Sequence, residues 1–197
     1  IRERLAFDEA LSHYIKLLIT KEKIKKNICH KIEVDKEIKD KIISKIPFKL
    51  TESQVKVIKE IEDDIKRINP MLRLLQGDVG SGKTIVALIT LANVLKKNIQ
   101  AAIMVPTEIL AIQHYNYFSD LFKDTRVNIV ILTSKMSSKE KENVQKKIEN
   151  GAAQIIIGTH AIFQKNINFK NLGYIVIDEQ HRFGVHQKFQ LSVKGCN

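Results

Sequence analysis

The sequence predicts an α/β domain built on a parallel sheet with helices on both faces, preceded by a small helical segment. Short apolar segments alternate with helical ones along most of the chain. These short segments are largely apolar, which is typical of strands that are buried on both sides of a sheet. Strands that alternate with helices in this way form a parallel sheet.

The beginning of the chain differs in pattern from the rest. In residues 5–19, apolar residues recur largely at three- and four-residue steps, which predicts an amphipathic helix with a face suited to packing. Residues 21–45 predict a second helical stretch. Pro47 then disfavours helix at the preceding residue and marks a boundary. We therefore predict a helical segment or linker over residues 1–46 and the main domain over residues 47–197.

The main domain is predicted to start with a helix over residues 51–68. Predicted strands then cover residues 72–76, 101–105, 127–132, 154–157 and 174–177, and helices cover residues 83–97, 107–122 and 138–150. The last helix begins with a capping box, in which Ser137 and Glu140 satisfy each other's backbone N–H groups.

Composition narrows the class of protein. The 197 residues are 44 % hydrophobic, which suffices for one sizeable domain and a smaller appendage. The longest apolar runs are strand-sized, whereas a membrane-spanning helix needs roughly 20 residues. Cys29 and Cys196 show neither paired spacing nor a histidine cluster. We therefore expect a cytoplasmic protein without a disulfide framework, a zinc site or a membrane partner.

The net charge of +11 favours a polyanionic partner such as nucleic acid. Most of this charge comes from lysine, and lysine, isoleucine and asparagine are abundant throughout the chain. A compositional bias of the genome would produce the same excess. The charge alone therefore leaves both explanations open.

One segment matches the phosphate-binding pattern G-x-x-x-x-G-K-[ST]. It consists of Gly77, Asp78, Val79, Gly80, Ser81, Gly82, Lys83 and Thr84. A predicted strand precedes it and a predicted helix follows, so backbone N–H groups and the helix dipole are expected to bind phosphate. Lys83 is expected to pair with the β- and γ-phosphates and Thr84 to ligate Mg²⁺. The alternative is a glycine-rich turn without a ligand, which the strand–helix context disfavours.

Two acidic residues, Asp178 and Glu179, directly follow the last predicted strand. The carboxyl ends of parallel strands are where open α/β sheets bind ligands. Asp178 is expected to hold Mg²⁺, directly or through water, and Glu179 to orient or deprotonate the water that attacks the γ-phosphate. Without the upstream phosphate loop, an ordinary solvated turn would be the preferred interpretation.

Gln54 has two interpretations, which do not exclude each other. Thr51 and Gln54 have the spacing of a capping box, in which the glutamine only starts a helix. Alternatively, the Gln54 amide, a donor and an acceptor, reads the donor and acceptor edge of adenine.

Five segments resemble, in order, the helicase motifs of superfamily two. They are residues 48–54, 77–84, 105–114, 158–163 and 178–185. The GDVGSGKT and DEQHRFGV segments are most similar to the RecG family, and residues 4–11 resemble the helical segment before the motor in that family. The transcription-repair coupling factor and the primosomal helicase share this plan and are the alternative families.

The resemblance implies a RecA-like fold, ATP hydrolysis with Mg²⁺, and translocation on branched DNA that reverses stalled forks and migrates Holliday junctions in DNA repair and recombination. It assigns catalysis to Lys83 and Glu179, and metal binding to Thr84 and Asp178. The nucleotide-binding set is Phe48, Gln54, residues 77–84, Asp178, Glu179 and His181. His181 is expected to couple the nucleotide state to the rest of the motor.

The resemblance also implies DNA-backbone contacts after two of the strands. The residues concerned are Pro106, Thr107, Gly158, Thr159 and His160. Without the resemblance, Thr107 would be interpreted as a helix N-cap and Thr159 as a loop residue.

The family's further parts are a second RecA-like domain with an arginine finger and a wedge domain that grips branched DNA. The sequence contains neither, starts at Ile1 without a methionine, and stops before the expected Ser/Thr-Ala-Thr motif. An arginine finger is worth on the order of a thousandfold in rate. We therefore expect a fragment that binds nucleotide but neither hydrolyses it efficiently nor unwinds DNA.

Two other classes of protein are weighed against the motor. A P-loop kinase would need an acceptor site or a lid, and a GTPase would need a guanine-reading Asn-Lys-x-Asp segment. Glu179 suits the activation of a water molecule better than transfer of phosphate to an acceptor. A binding module with a vestigial nucleotide site is disfavoured because Lys83, Thr84, Asp178 and Glu179 are all present.

Overall fold

The computed structural model describes residues 36–67, 70–93, 99–164 and 166–179, together with Phe7, Leu11, Ser12, Tyr14, Ile15 and Leu95. The first predicted helix therefore falls mostly outside this part of the chain. Its five described residues are helical and exposed, so the predicted packing of its apolar face is not seen at Leu11 and Ile15.

The described helices are α1 (Lys36–Lys45), α2 (Glu52–Ile65), α3 (Lys83–Ala92), α4 (Glu108–Phe122) and α5 (Ser138–Glu149), and the strands are β1 (Gln100–Met104), β2 (Ile129–Leu132), β3 (Ile155–Gly158) and β4 (Leu172–Ile177). A short 3₁₀-helix, His160–Phe163, which the sequence did not predict, follows β3. The strands form one parallel sheet in the order β2-β3-β1-β4. The predicted α/β class is thus confirmed.

Apolar side chains cover both faces of the sheet, as predicted. On β1, Ala101 and Ile103 join the core that packs against α1 to α4. Ala102 and Met104 point the other way, into the core formed with Ile148 of α5 and the 3₁₀-helix. This alternation follows from the two-residue period of a strand.

Helices α2 to α5 begin within one residue of where the sequence predicts. Thr51 and Gln54 form the capping box of α2, and Ser137 and Glu140 form that of α5. Thr107 is the N-cap of α4, and its hydroxyl accepts a hydrogen bond from the backbone N–H of Leu110. Each cap satisfies N–H groups that a helix start would otherwise leave without partners.

Helix α1 shares the core of the sheet domain. Ile42 is fully buried in the core that also contains α2 to α4. At the end of α1, the Lys45 ammonium donates to the Leu121 carbonyl at 3.0 Å and lies 2.7 Å from the Asp124 carboxylate. Residues 36–46 therefore pack with the main domain, and the domain boundary at residues 46/47 stays a prediction.

The predicted strand over residues 72–76 is wrong. This segment has no regular secondary structure and no place in the described sheet, and Leu72 and Leu74 are 69 % and 71 % exposed. Its contacts are made by side chains: Met71 and Leu75 pack on the core, and Arg73 donates to Glu60 at 2.7 Å and Asp64 at 2.6 Å. An apolar run favours extended backbone, but a strand also needs a neighbouring strand for its hydrogen bonds.

In the part of the chain that the structure describes, no helix is both long and apolar enough to cross a membrane.

Candidate functional site

The loop 77–84 folds around the side chain of its own lysine. A turn closes from the Ser81 N–H to the Asp78 carbonyl at 3.2 Å. The Lys83 ammonium donates to the carbonyls of Gly77 at 2.8 Å and Asp78 at 2.7 Å. The lysine charge is thus held at the mouth of the loop, where anionic oxygens could take over as its acceptors.

Gly82 starts α3 in a conformation that only glycine adopts easily. Its φ is 81°, and a Cβ atom there would collide with the amide nitrogen of Gln54. No side chain caps this helix start. The first N–H groups of α3 and the helix dipole are therefore available to an anion, and Lys83 and the half-buried Thr84 lie on the same first turn.

Gln54 links α2 to the phosphate loop. Its Oε1 accepts the Thr51 N–H at 3.0 Å, which confirms the capping-box interpretation. Its Nε2 donates to the carbonyl of Ser81 at 2.9 Å, a contact that the sequence did not predict. Because an amide offers two donor hydrogens and two acceptor lone pairs, one of each stays available. Adenine recognition therefore stays a prediction that these contacts permit.

Phe48 lies on the connection between α1 and α2 and is half exposed. It lines an open, mostly apolar cavity together with Ile43, Leu50 and Val55, the neighbour of Gln54 in α2. An exposed aromatic ring beside an apolar cavity is chemically suited to a flat ring such as a base.

Asp178 lies at the carboxyl end of β4. Its Oδ1 accepts the N–H of Glu179 at 2.9 Å, and its Oδ2 lies 3.4 Å from Nε2 of His114 on α4. The His114 contact, the Glu179 N–H and the positive charge of Lys83 all lower the pKa of Asp178, against the opposing effect of burial. Asp178 is therefore held as a carboxylate at the end of β4.

Glu179 has a φ of 47°, in the left-handed region, the only such residue other than glycine in the described part of the chain. Backbone strain of this kind persists where the surrounding structure enforces it, and it clusters at functional sites. Its backbone is tied to the carboxylate of Asp178, so the two acids have a fixed relationship. His181 falls beyond the described residues.

The sheet register brings three loops together at one edge. Met104 at the end of β1 pairs with Gly158 of β3 on one side and with Ile177 of β4 on the other. The loops that follow these strands therefore emerge side by side, with that of β1 in the middle. Asp178 lies on one side of it and Thr159 on the other.

The residues predicted to contact DNA divide into two groups. Thr107 and His160 are exposed and Pro106 is half-buried. Gly158 and Thr159 are buried, and Thr159 is only 4 % exposed. Its hydroxyl is enclosed and has no hydrogen-bond partner among the described residues, so this conformation does not offer it to a phosphate.

Gly158 has a structural role that the sequence did not predict. A Cβ atom at this position would collide with the backbone oxygen of Leu132 on the neighbouring strand. The absence of a side chain therefore permits the close approach of β2 and β3 at this edge.

The donor set fits magnesium held together with a nucleotide. Thr84 supplies a hydroxyl oxygen and Asp178 a carboxylate, and hard oxygen donors are what Mg²⁺ prefers. Nucleotide-associated Mg²⁺ commonly needs only one or two carboxylates besides phosphate oxygens and water. Within the described ranges, no group of three or more His, Cys, Asp or Glu side chains forms a metal cluster. Cys29 and Cys196 lie outside those ranges.

His114 ends the motif over residues 105–114, which the resemblance places against the DNA backbone, but the sequence predicted no individual role for it. Its ring stacks on Phe118 one turn later, with 5.9 Å between ring centroids. The available signal was its position seven residues after Thr107, which places both residues on the same side of α4. A lone histidine on a helix does not show by itself that it faces a carboxylate on another element.

Comparison with known proteins agrees with this geometry. The DEAD/DEAH box helicase family matches residues 51–196. The ATP-dependent DNA helicase RecG of Aquifex aeolicus (strain VF5) is 50 % identical over 98 % of this chain, which covers 24 % of that protein. RecG of Escherichia coli (strain K12) is 40 % identical over 98 % of this chain, which covers 28 % of it. The chain thus spans about a quarter of the length of these curated relatives.

Solved structures show the same fold. A structure of RecG bound to a three-way DNA junction superposes with a TM-score of 0.80 and 39 % identity, over 93 % of this chain and 25 % of that one. A DEAD box protein from Methanococcus jannaschii, at 24 % identity, gives a TM-score of 0.60 over 87 % of this chain and 47 % of that one, which supports the fold alone. The sheet is therefore that of a RecA-like helicase domain. Since the family match covers most of the sequence, the chain belongs to the DEAD/DEAH box helicase family.

Proposed function

We propose that this chain forms the ATP-binding first motor domain of a RecG-type DNA helicase, which uses ATP hydrolysis to reverse forks and migrate Holliday junctions in DNA repair and recombination. The observation that carries the proposal is the direct link between the helix that follows the phosphate-binding loop and the strand that precedes Asp178. The Tyr174 hydroxyl of β4 donates to the Thr90 hydroxyl of α3 at 3.0 Å, and the charge of Lys83 is among the effects that lower the pKa of Asp178. The identity to RecG proteins supports the choice of substrate class.

Phosphate binding would use contacts that the loop already makes with itself. The Lys83 ammonium exchanges the carbonyls of Gly77 and Asp78 for oxygens of the β- and γ-phosphates. The uncapped start of α3 supplies N–H groups and a positive helix dipole to the same anion. Adenine lies against Phe48, where Gln54 has one donor and one acceptor to spare.

Hydrolysis would depend on the two acids after β4. Thr84 and Asp178 hold Mg²⁺, which when bound neutralises charge on the phosphate oxygens. Glu179 orients the attacking water and accepts its proton. The hydrogen bond from the Glu179 N–H to Asp178 keeps this base in a fixed relation to the metal-binding carboxylate. Lys83 stabilises the charge that develops on the transferred phosphoryl group.

DNA would contact the same edge of the sheet. Thr107 and His160 are exposed in the loops after β1 and β3, and their backbone and side-chain groups suit phosphate contacts. Pro106, Gly158 and Thr159 belong to the same two loops. Branched DNA as the substrate, and a second RecA-like domain and a wedge domain as partners, are proposed from the resemblance to RecG. We also propose the cytoplasm as the location, because the activity needs both ATP and DNA.

The experiment that tests the proposal measures Mg²⁺-dependent binding of a fluorescent ATP analogue to the full-length protein. Lys83→Ala is expected to weaken binding by roughly tenfold or more, because a charge-assisted hydrogen bond to phosphate is lost. Lys59→Ala removes an exposed lysine from α2 and is the matched control, which should bind as the wild type does. Equal binding by the wild type and Lys83→Ala would refute the nucleotide site.

The same preparations test the activity. ATP turnover by the full-length protein is expected to rise on addition of fork DNA and to fall to background in Lys83→Ala. Turnover and unwinding by the 197-residue chain alone are expected to stay near background. The proposed second RecA-like domain would supply the arginine finger, which is worth on the order of a thousandfold in hydrolysis rate. Robust ATP-dependent unwinding by this chain alone would contradict that expectation.

A further inference from the structure

The side chain of His114 lies between the core and the candidate metal-binding carboxylate. Its Nε2 is 3.4 Å from Oδ2 of Asp178, and its side chain is mostly buried. Phe118 stacks on the imidazole ring at a centroid distance of 5.9 Å and an interplanar angle of 22°. Phe118 is itself fully buried. The His114 ring therefore packs against the apolar Phe118 and lies beside the anionic Asp178 carboxylate.

We propose that His114 is a positioning residue of the nucleotide site, which holds the Asp178 carboxylate in the orientation that Mg²⁺ binding requires. The inference rests on the proposed function, since it concerns the same site. His114 itself touches neither phosphate nor metal in this role. It acts only through Asp178.

The geometry around Asp178 supports this role. The Glu179 N–H donates to Oδ1 at 2.9 Å, and Nε2 of His114, on a different element of the fold, lies 3.4 Å from Oδ2. A carboxylate accepts about four hydrogen bonds, so two contacts of this kind orient it and leave lone pairs for a metal or its water. The main chain at Asp178 is anchored as well, because its N–H donates to the Met104 carbonyl at 2.9 Å.

Helix α4 is a rigid support for the histidine. Its start is capped by Thr107, and near its end Phe118, Leu121 and Phe122 are buried in the core. His114 lies between these two anchored regions. A partner that fixes a metal ligand from a rigid element commonly contributes about 10- to 100-fold to metal affinity.

The test uses variants of the full-length protein that separate the hydrogen-bond donor from the packing. His114→Leu keeps an apolar side chain against Phe118 but removes the donor. His114→Gln places an amide N–H at a reach similar to that of Nε2, whereas the shorter His114→Asn does not. Asn116→Ala changes an exposed residue of the same helix and is the matched control.

The readout is binding of a non-hydrolysable fluorescent ATP analogue as Mg²⁺ is titrated, together with kcat and KM for ATP. Binding without Mg²⁺ should be unchanged in every His114 variant. His114→Leu and His114→Asn should raise the half-saturating Mg²⁺ concentration about tenfold and lower kcat, whereas His114→Gln should restore most of the loss. Combined with Asp178→Ala, His114→Leu should have no further effect, because both changes remove the same interaction.

Several results would overturn the inference. It fails if His114→Leu and His114→Asn respond to Mg²⁺ as the wild type does, or if His114→Gln is as impaired as His114→Leu. It also fails if the effects of His114→Leu and Asp178→Ala are additive. Should His114→Leu not fold, the comparison of His114→Asn with His114→Gln decides.

Lys83→Ala distinguishes this inference from the proposed function, because Lys83→Ala should lose nucleotide binding both with and without Mg²⁺. If Lys83→Ala binds normally, the proposed function fails and this inference with it; if only the His114 variants match the wild type, this inference alone fails.

Discussion

The hydroxyl of Tyr174 on β4 donates a hydrogen bond to the hydroxyl of Thr90 on α3, with 3.0 Å between the two oxygens. Both residues are buried, and burial raises the pKa of Tyr174, so its phenol stays protonated. Thr90 in turn donates to the Val86 carbonyl of its own helix at 2.9 Å. The contact joins the helix that follows the phosphate loop to the strand that ends at Asp178. It therefore fixes the two halves of the candidate site relative to each other.

Removal of the Thr90 hydroxyl should lower the free energy of unfolding more than removal of the Tyr174 hydroxyl. Thr90→Val leaves the Tyr174 hydroxyl buried without an acceptor, and we expect it to lower the free energy of unfolding by about 2 kcal/mol. Tyr174→Phe leaves Thr90 bonded to Val86, and we expect a cost of about 1 kcal/mol. Chemical denaturation followed by circular dichroism measures both. The double variant should cost less than the sum, because no polar group is then left without a partner; strictly additive costs would contradict this account.

Gln100 at the start of β1 uses all the hydrogen-bonding capacity of its amide. Its Nε2 donates to the carbonyls of Ile148 at 2.9 Å and Ala153 at 2.8 Å. Its Oε1 accepts the N–H groups of Lys170 at 2.8 Å and Asn171 at 3.1 Å. One buried side chain thus joins β1 to the end of α5 and to the start of β4.

We expect Gln100→Leu to destabilise the fold by about 3 kcal/mol or more, because four hydrogen bonds to backbone groups are lost inside the protein. Gln154→Ala is the control. Its Oε1 accepts a single exposed N–H, that of Asn128, so its loss should cost about 0.5 kcal/mol. Chemical denaturation of the two variants in parallel tests the difference. Similar denaturation midpoints would show that the Gln100 contacts contribute little to the free energy of unfolding.

The strands of the sheet could be predicted because their signal is local. The segment predicted over residues 101–105 appears as Gln100–Met104, and that over residues 127–132 as Ile129–Leu132. Apolar runs of strand length between helices favour strands. Residues 72–76 carry the same local signal but form no strand. Whether a strand forms there depends on a neighbouring strand, which lies far away in sequence and cannot be found from the run itself.

The candidate residues of the site could be named from the sequence, but their contacts could not. Lys83, Thr84 and Asp178 stand in short motifs whose chemistry is fixed by residue type and spacing. The partners of Gln54 and Asp178, namely Ser81 and His114, lie 27 and 64 residues away from them (81 − 54 and 178 − 114). Such contacts follow from how helices pack on the sheet. Burial of Thr159 follows likewise from the pairing of β3 with both of its neighbours.

The contact between Glu108 and Lys135 should make stability depend on pH. The Lys135 backbone N–H donates to Glu108 at 2.9 Å and, with the lysine side chain and Thr133, lowers the pKa of Glu108 below its ordinary value of 4.5. A lowered folded-state pKa contributes stability above the ordinary value, and that stability is lost as pH falls through the folded-state pKa. The unfolding free energy of the wild type minus that of Glu108→Gln should therefore be positive near neutral pH and shrink below about pH 4. A difference that stays constant from pH 7 to pH 3 would show that charge at Glu108 is not its source.

Gln54 and Glu140 occupy the same position in two capping boxes, and only Gln54 also contacts the phosphate loop. Gln54→Ala and Glu140→Ala should therefore destabilise the fold by similar amounts, about 0.5–1 kcal/mol each. Only Gln54→Ala should weaken binding of a fluorescent ATP analogue, because it releases the Ser81 carbonyl. If Gln54 also reads adenine, the same variant reduces the preference for ATP over GTP. Weaker ATP binding with an unchanged preference would assign Gln54 to the loop alone, and equal nucleotide affinities in both variants would leave it only the helix cap.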